Sequence, residues 1–195
     1  VVLTPHLMGL SRQATAARAA GRRMAPLSSM RRLATIGVYG FSAERFVATL
    51  LEAGVTMLLD VRQRRGVRGT EYAWANAQRL QAAMAEAGVG YRHLPELAPT
   101  TELRKLQYAA DDRAGVGKRS REELAPEYVR RYTGEILDPV DLDAVAAELP
   151  VRGTAALFCV ERDPEACHRS LVAERLAGRT GLELVHLRPW PATGR

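Results

Sequence analysis

The chain has 195 residues, 47% of them hydrophobic and 26% charged, with a formal net charge of +6. This is the balance of a chain that buries one sizeable core, and it excludes a disordered polymer. No apolar run approaches the roughly 18–20 residues that span a bilayer, which excludes a membrane helix. The excess charge sits at the start: residues 1–33 carry six arginines and no acid, and the rest holds 22 basic against 22 acidic groups. The sequence therefore divides into a basic, disordered N-terminal extension over 1–33 and a single, electrically balanced domain over 34–195. A broad nucleic-acid-binding face gains no support from net charge. No apolar leader followed by a small-residue cleavage site is present, so a cytoplasmic protein is expected. Its two cysteines, Cys159 and Cys167, are then expected to be reduced.

Strand and helix patterns alternate along the domain. Residues 34–39 read as the first strand. Ser42 caps a helix that runs to Ala53 and stops at Gly54. Residues 55–61 form an almost continuous apolar run, the mark of a strand buried on both faces. A helix over 76–87 stops at Gly88, and a third strand follows over 89–94. A longer excursion then reads as a helix over 101–110, a loop over 111–118, and helices over 126–137 and 139–149, each with proline in its first turn. Residues 153–160 are the fourth strand. Asp163 and Pro164 open a helix reaching Ala177, and residues 183–187 are the fifth strand.

Strands joined by helices imply a three-layer α/β sandwich, Rossmann-like or flavodoxin-like, with a mostly parallel sheet of about five strands. Ligands of such folds bind outside the carboxyl ends of the strands. Those ends carry Tyr39-Gly40, Asp60-Val61-Arg62, His93-Leu94-Pro95-Glu96, Cys159-Val160-Glu161 and His186. Polar and reactive side chains thus collect where one shared cleft is expected.

Three segments carry candidate chemistry. In the stretch from Cys159 to Ser170, a buried strand delivers Glu161, and Cys167, His168 and Arg169 follow in the first turns of a helix. A helix N-terminus offers free N–H donors and a positive dipole end. Arg169 and Ser170 are read as ligand-binding there, with Glu161, and the same field favours a Cys167 thiolate. Cys159 itself reads as a small core residue. The two cysteines and His168 lack the two close ligand pairs of a structural zinc site, so no metal ligand is assigned. In the second segment, Asp60 ends a strand before a glycine-punctuated loop with Arg62, Arg64, Arg65 and Arg68. Guanidinium groups at a strand end suit phosphate or carboxylate recognition, and Arg62 is taken as ligand-binding. Tyr72 and Trp74, next along, suit base stacking or core packing. In the third, Tyr91 and His93 share one strand face and Glu96 follows, a histidine and a carboxylate for acid–base work.

The stretches TIGVYGF, DVRQRRGVRG, YRHLPELA and CVERDPEACHRSLVAERL occur in this order. Together they resemble the domain of unknown function 488 family across about residues 35–187. The resemblance implies an α/β sandwich with strand-end motif residues Asp60, Arg62, His93, Glu96, Glu161, Cys167, His168 and Arg169, and it brings no settled reaction. The chain departs from that pattern at Tyr39-Gly40-Phe41, at Gln63-Arg64 and at Ala98-Pro99.

The functional expectation is an enzyme acting on a phosphate-bearing substrate, a small nucleotide or a nucleic acid. Asp60, His93, Glu96, Cys167 and His168 are its catalytic candidates, and the cofactor is unknown. A non-catalytic nucleic-acid-binding module is the alternative, and a thiol redox or metal protein built on Cys159, Cys167 and His168 is a second one.

Overall fold

In the computed structural model, which describes residues 31–117 and 119–189, five short strands form one sheet. They are β1 (Arg32–Ile36), β2 (Val55–Asp60), β3 (Gly90–His93), β4 (Thr154–Phe158) and β5 (Glu183–Leu187). All pairings are parallel and the strand order is β3-β2-β4-β1-β5. Central β4 is buried at all five positions, as a strand covered on both faces must be. Most of the span read as a basic extension lies outside the described residues, although β1 already begins within it, at Arg32.

Helices cover both faces. On one, α1 (Ala43–Glu52) and α2 (Ala77–Glu86) press Phe46, Leu50, Leu80 and Met84 onto Ile36, Leu58 and Phe158. On the other lie α3 (Thr101–Ala114), α4 (Pro126–Tyr132), α5 (Leu142–Ala147) and α6 (His168–Thr180). Their Leu103, Tyr132, Leu142 and Leu176 pack on Leu33, Leu59 and Leu157. The period of two along each strand feeds neighbouring residues to opposite cores. This is the expected three-layer α/β sandwich of the Rossmann-like and flavodoxin-like class. No helix among the described residues is long and apolar enough to cross a membrane.

The topology also places a crevice. The connections leaving β1 and β2 run over one face, and those leaving β3 and β4 run back over the other, as right-handed crossovers require. Strand β4 therefore sends its chain to the face opposite that used by both its neighbours. At such a reversal the loops part, and a cleft opens outside the carboxyl ends of the strands.

Several element ends differ from expectation, each for a local reason. Strand β1 stops at Ile36 because Gly37 passes against the chain leaving β4: a Cβ on Gly37 would sit 1.9 Å from the Glu161 carbonyl oxygen. Val38 and Tyr39 then both donate their N–H groups to Val160 O, at 3.1 Å each. Helix α3 runs through residues 111–114, read as loop, and ends at Gly115, whose φ of 66° closes the last turn. Helix α4 widens into a π turn over Thr133–Leu137. Helix α5 is capped by Asp141, which accepts from Asp143 and Ala144 N–H, so Pro139 lies before it. The largest correction concerns α6. Asp163 does not cap it, because Arg162 and Arg188 take that carboxylate at 2.9 Å each. The chain turns through residues 162–166 instead, and α6 starts at His168 with Cys167 at its N-cap.

Candidate active site

A cavity of about 520 Å³ fills the crevice beside β4. Its floor comes from the end of β4 and the start of α6: Cys159, Glu161, Cys167 and His168. One wall is the loop after β2, with Arg64 and Arg68; the other is α3, the stretch before α4 and α4 itself, with Arg104, Arg121 and Tyr128.

The floor is built by two short local rules. Cys159 and Glu161 are two apart on extended chain, so both side chains lean the same way. The N-cap places Cys167 at the positive end of α6, and His168 follows as the first helical residue. Cys167 Sγ lies 3.1 Å and Cys159 Sγ 3.4 Å from the same Glu161 Oε2. His168 Nδ1 lies 3.9 Å from each sulfur. The other ring nitrogen, Nε2, lies 2.9 Å from Val61 O. A carbonyl only accepts, so Nε2 carries a proton and Nδ1 turns its lone pair to the thiols in the neutral ring. The ring edge meets Tyr132, whose hydroxyl donates to Leu97 O at 2.6 Å.

The electrostatics separate the two cysteines. Burial, then Cys167 and Glu161, push the Cys159 thiol well above its ordinary value. Burial also opposes a thiolate at Cys167, but the Cys159 S–H, Arg169 and His168 outweigh it and hold Cys167 well below. His168 is likewise opposed by burial and raised by Cys167, the Val61 carbonyl and Glu161. These directions favour a Cys167 thiolate beside a protonated His168. The same lone pairs serve either a thiolate–imidazolium pair or a set of soft metal donors, since Sγ of both cysteines and Nδ1 of His168 all lie within 4.8 Å of one another.

Arg121 braces this floor from the excursion between β3 and β4. It donates to Asp111 Oδ2 at 2.7 Å, to Glu161 Oε1 at 3.4 Å and to Ala166 O at 3.0 Å. Arg64, Arg68 and Arg104 differ: no carboxylate pairs with them among the described residues. The Nε of Arg104 is buried without a hydrogen-bond partner.

Of the residues assigned catalytic or ligand-binding roles from the sequence, Arg62, Glu161, Cys167 and His168 line the cavity. Arg62 does so with its guanidinium already spent. Its Nε and Nη2 grip Asp60 at 2.8 and 2.7 Å, its Nη1 donates to Ala75 O at 2.9 Å, and its plane rests 4.5 Å above Phe158. Asp60 is fully buried beneath it and also accepts from the Tyr91 hydroxyl. Arg169, read as the anion holder, is fully buried and donates to the Glu161 and Arg162 carbonyls at 2.7 and 3.0 Å. It fixes the turn that carries Glu161 rather than facing the cavity. Ser170 Oγ donates to Cys167 O at 2.9 Å and holds the N-cap. His93 is bonded to Arg62 O at 2.9 Å, and Glu96 is exposed; neither lines the cavity.

Arg104, Arg121 and the two tyrosines of α4 were not singled out as functional, and Cys159 entered only as a core residue or as part of the thiol redox or metal alternative. The alternation Cys159-x-Glu161 is a signal that places Cys159 beside Glu161. Arg121 has none, since its partners lie 10, 40 and 45 residues away.

No curated protein and no solved structure matches the chain. The family described as domain of unknown function DUF488 matches residues 42–176. That span opens at the Ser42 cap of α1 and ends within α6, so it takes in both cavity walls and the whole floor. With more than half of its length and every floor residue inside the match, the chain belongs to the DUF488 family.

Proposed function

We propose that the chain is an enzyme acting on a phosphate-bearing substrate, a nucleotide or a nucleic-acid end, held in the cavity beside β4. The observation that carries this reading is the pairing of a basic mouth with a reactive floor. Arg64, Arg68 and Arg104 line the cavity without acid partners among the described residues, above Cys159, Glu161, Cys167 and His168. Guanidinium groups left uncompensated at a concave site favour an anion of more than one charge. The floor supplies groups that accept, donate and share a proton within a single cluster. Tyr39, also on the cavity lining, packs against Tyr72 at 5.1 Å and gives the mouth an aromatic side on which a nucleobase would rest.

Calorimetric titration with pyrophosphate and with nucleoside triphosphates tests the proposal. Each of Arg64→Ala, Arg68→Ala and Arg104→Ala should weaken binding by about 1.5–3 kcal/mol, roughly ten- to a hundredfold. His168→Ala should leave binding intact and abolish turnover in a screen of phosphate esters. A parent protein that binds none of these anions, or a triple arginine variant that binds them as the parent does, would overturn it.

A further inference from the structure

We propose that Cys159, Cys167 and His168 form a three-ligand zinc site at the floor of the cavity, with the fourth position open toward bound substrate beside Glu161. The inference stands on the ligand geometry and does not require the substrate to be phosphate-bearing.

Four observations support it. The donor set is two sulfurs and one imidazole nitrogen, which suits zinc over magnesium or calcium. The spacing is close to what a tetrahedral ion needs. Bonds of about 2.3 Å to sulfur and about 2.0–2.1 Å to nitrogen set sulfur–nitrogen edges of about 3.5–3.6 Å. Both observed separations are 3.9 Å, so each sulfur moves only a few tenths of an ångström to bind. The third observation is the Val61 carbonyl at 2.9 Å from His168 Nε2. A ligating histidine characteristically donates its other N–H to a backbone carbonyl or carboxylate, and this contact fixes the ring with Nδ1 toward the sulfurs. The fourth is access. All three ligands line the cavity, and three protein ligands with one open position mark a catalytic rather than a structural zinc.

The charge and proton balance closes. Zinc(II) with two thiolates and a neutral imidazole is formally uncharged. Two protons leave on binding, one from Cys159 and one from whichever of Cys167 and His168 holds it, and both pass to solvent. The Glu161 carboxylate, paired with Arg121 at 3.4 Å, then stands beside the open position as a proton acceptor for a zinc-bound water or substrate hydroxyl. Arg169 and Arg121 are therefore positioning residues: each holds the turn from Glu161 to Ala166 that spaces the two sulfurs.

The full chain, stripped with a chelator and kept reduced, should be titrated with cobalt(II) and followed by absorption. One cobalt per chain is expected, with a thiolate-to-cobalt charge-transfer band in the near ultraviolet and the visible bands of a tetrahedral ion. Zinc added afterwards should bleach both. Cys159→Ser and Cys167→Ser should each lose about half of the charge-transfer intensity, in proportion to the thiolates left. Circular dichroism reports whether the variants remain folded, and the parent titration alone decides the matter if they do not. A parent without the charge-transfer band overturns the site, as do tetrahedral cobalt bands unchanged in shape and intensity in a folded His168→Ala variant, which lacks the third ligand. Cobalt binding without pyrophosphate or nucleotide binding would remove the proposed substrate and leave the metal; the reverse result would remove the metal alone.

Discussion

Among the described residues, Arg62 and Arg169 are the two largest fully buried side chains, and both are charged. Each looks from the sequence like a hand held out to an anion, and each turns to the protein instead, Arg169 through its two Nη atoms with its Nε left without a partner. Burying a guanidinium is costly unless every donor is met, and Arg62 meets a carboxylate through two nitrogens and a carbonyl through a third. The pair joins the end of β2 to the turn before α2, under the loop that carries Arg64 and Arg68. Arg62→Met should therefore leave Asp60 as an unpaired buried charge and cost about 3–5 kcal/mol, read as a shift of the urea midpoint. Arg62→Lys should not restore it, because one ammonium cannot grip both carboxylate oxygens and reach Ala75 O. A Met variant within about 1 kcal/mol of the parent would show that the pair is not what holds this corner.

At the scale of elements, the site depends on one tie between the excursion and the sheet. Arg121 reaches from the chain before α4 to Asp111 at the end of α3, to Glu161 and to the Ala166 carbonyl. Replacing it with Gln removes the cation that faces two buried carboxylates, with Gln107 still donating to Asp111 at 2.7 Å, so Arg121→Gln should lower stability by about 3–5 kcal/mol and loosen the turn before α6. Faster proteolysis between β4 and α6 would report that loosening, and an unchanged digestion pattern would contradict it. The same tie explains what the sequence conceals. Gly54 and Gly88 announce the ends of α1 and α2, and an almost continuous apolar run announces β2, because those signals act over a few residues. Asp111 reads as loop, yet Arg121 neutralises it and α3 continues past it. Asp163 reads as a cap, yet Arg188, 25 residues on, takes its carboxylate. The floor is legible in part for the same reason: Glu161, Cys167 and His168 sit together in one motif. Cys159 looks like core until Glu161 and His168 are seen against it, and Arg121 is visible only once the excursion folds back.

For the whole molecule, the sheet order sets both the site and the distribution of stability. Strand β4 is paired on both sides, with β1 and β2, and carries a core on each face. Strands β3 and β5 are paired on one side only, and their burial is partial along their length. Local opening is cheapest where few apolar contacts and one ladder hold the backbone. Native-state hydrogen exchange should therefore find the slowest amides in β4 and β1, opening only with global unfolding, and faster exchange in β3 and β5. The cavity floor begins at the carboxyl end of this doubly paired, fully buried strand, while its walls come from the β2 loop and the excursion. A rigid floor with looser walls suits a site that holds reactive groups in fixed geometry and admits its ligand from the side. Amides of β5 that outlast those of β4 would break the link between sheet order and stability, and with it the reason for siting the cluster beside β4.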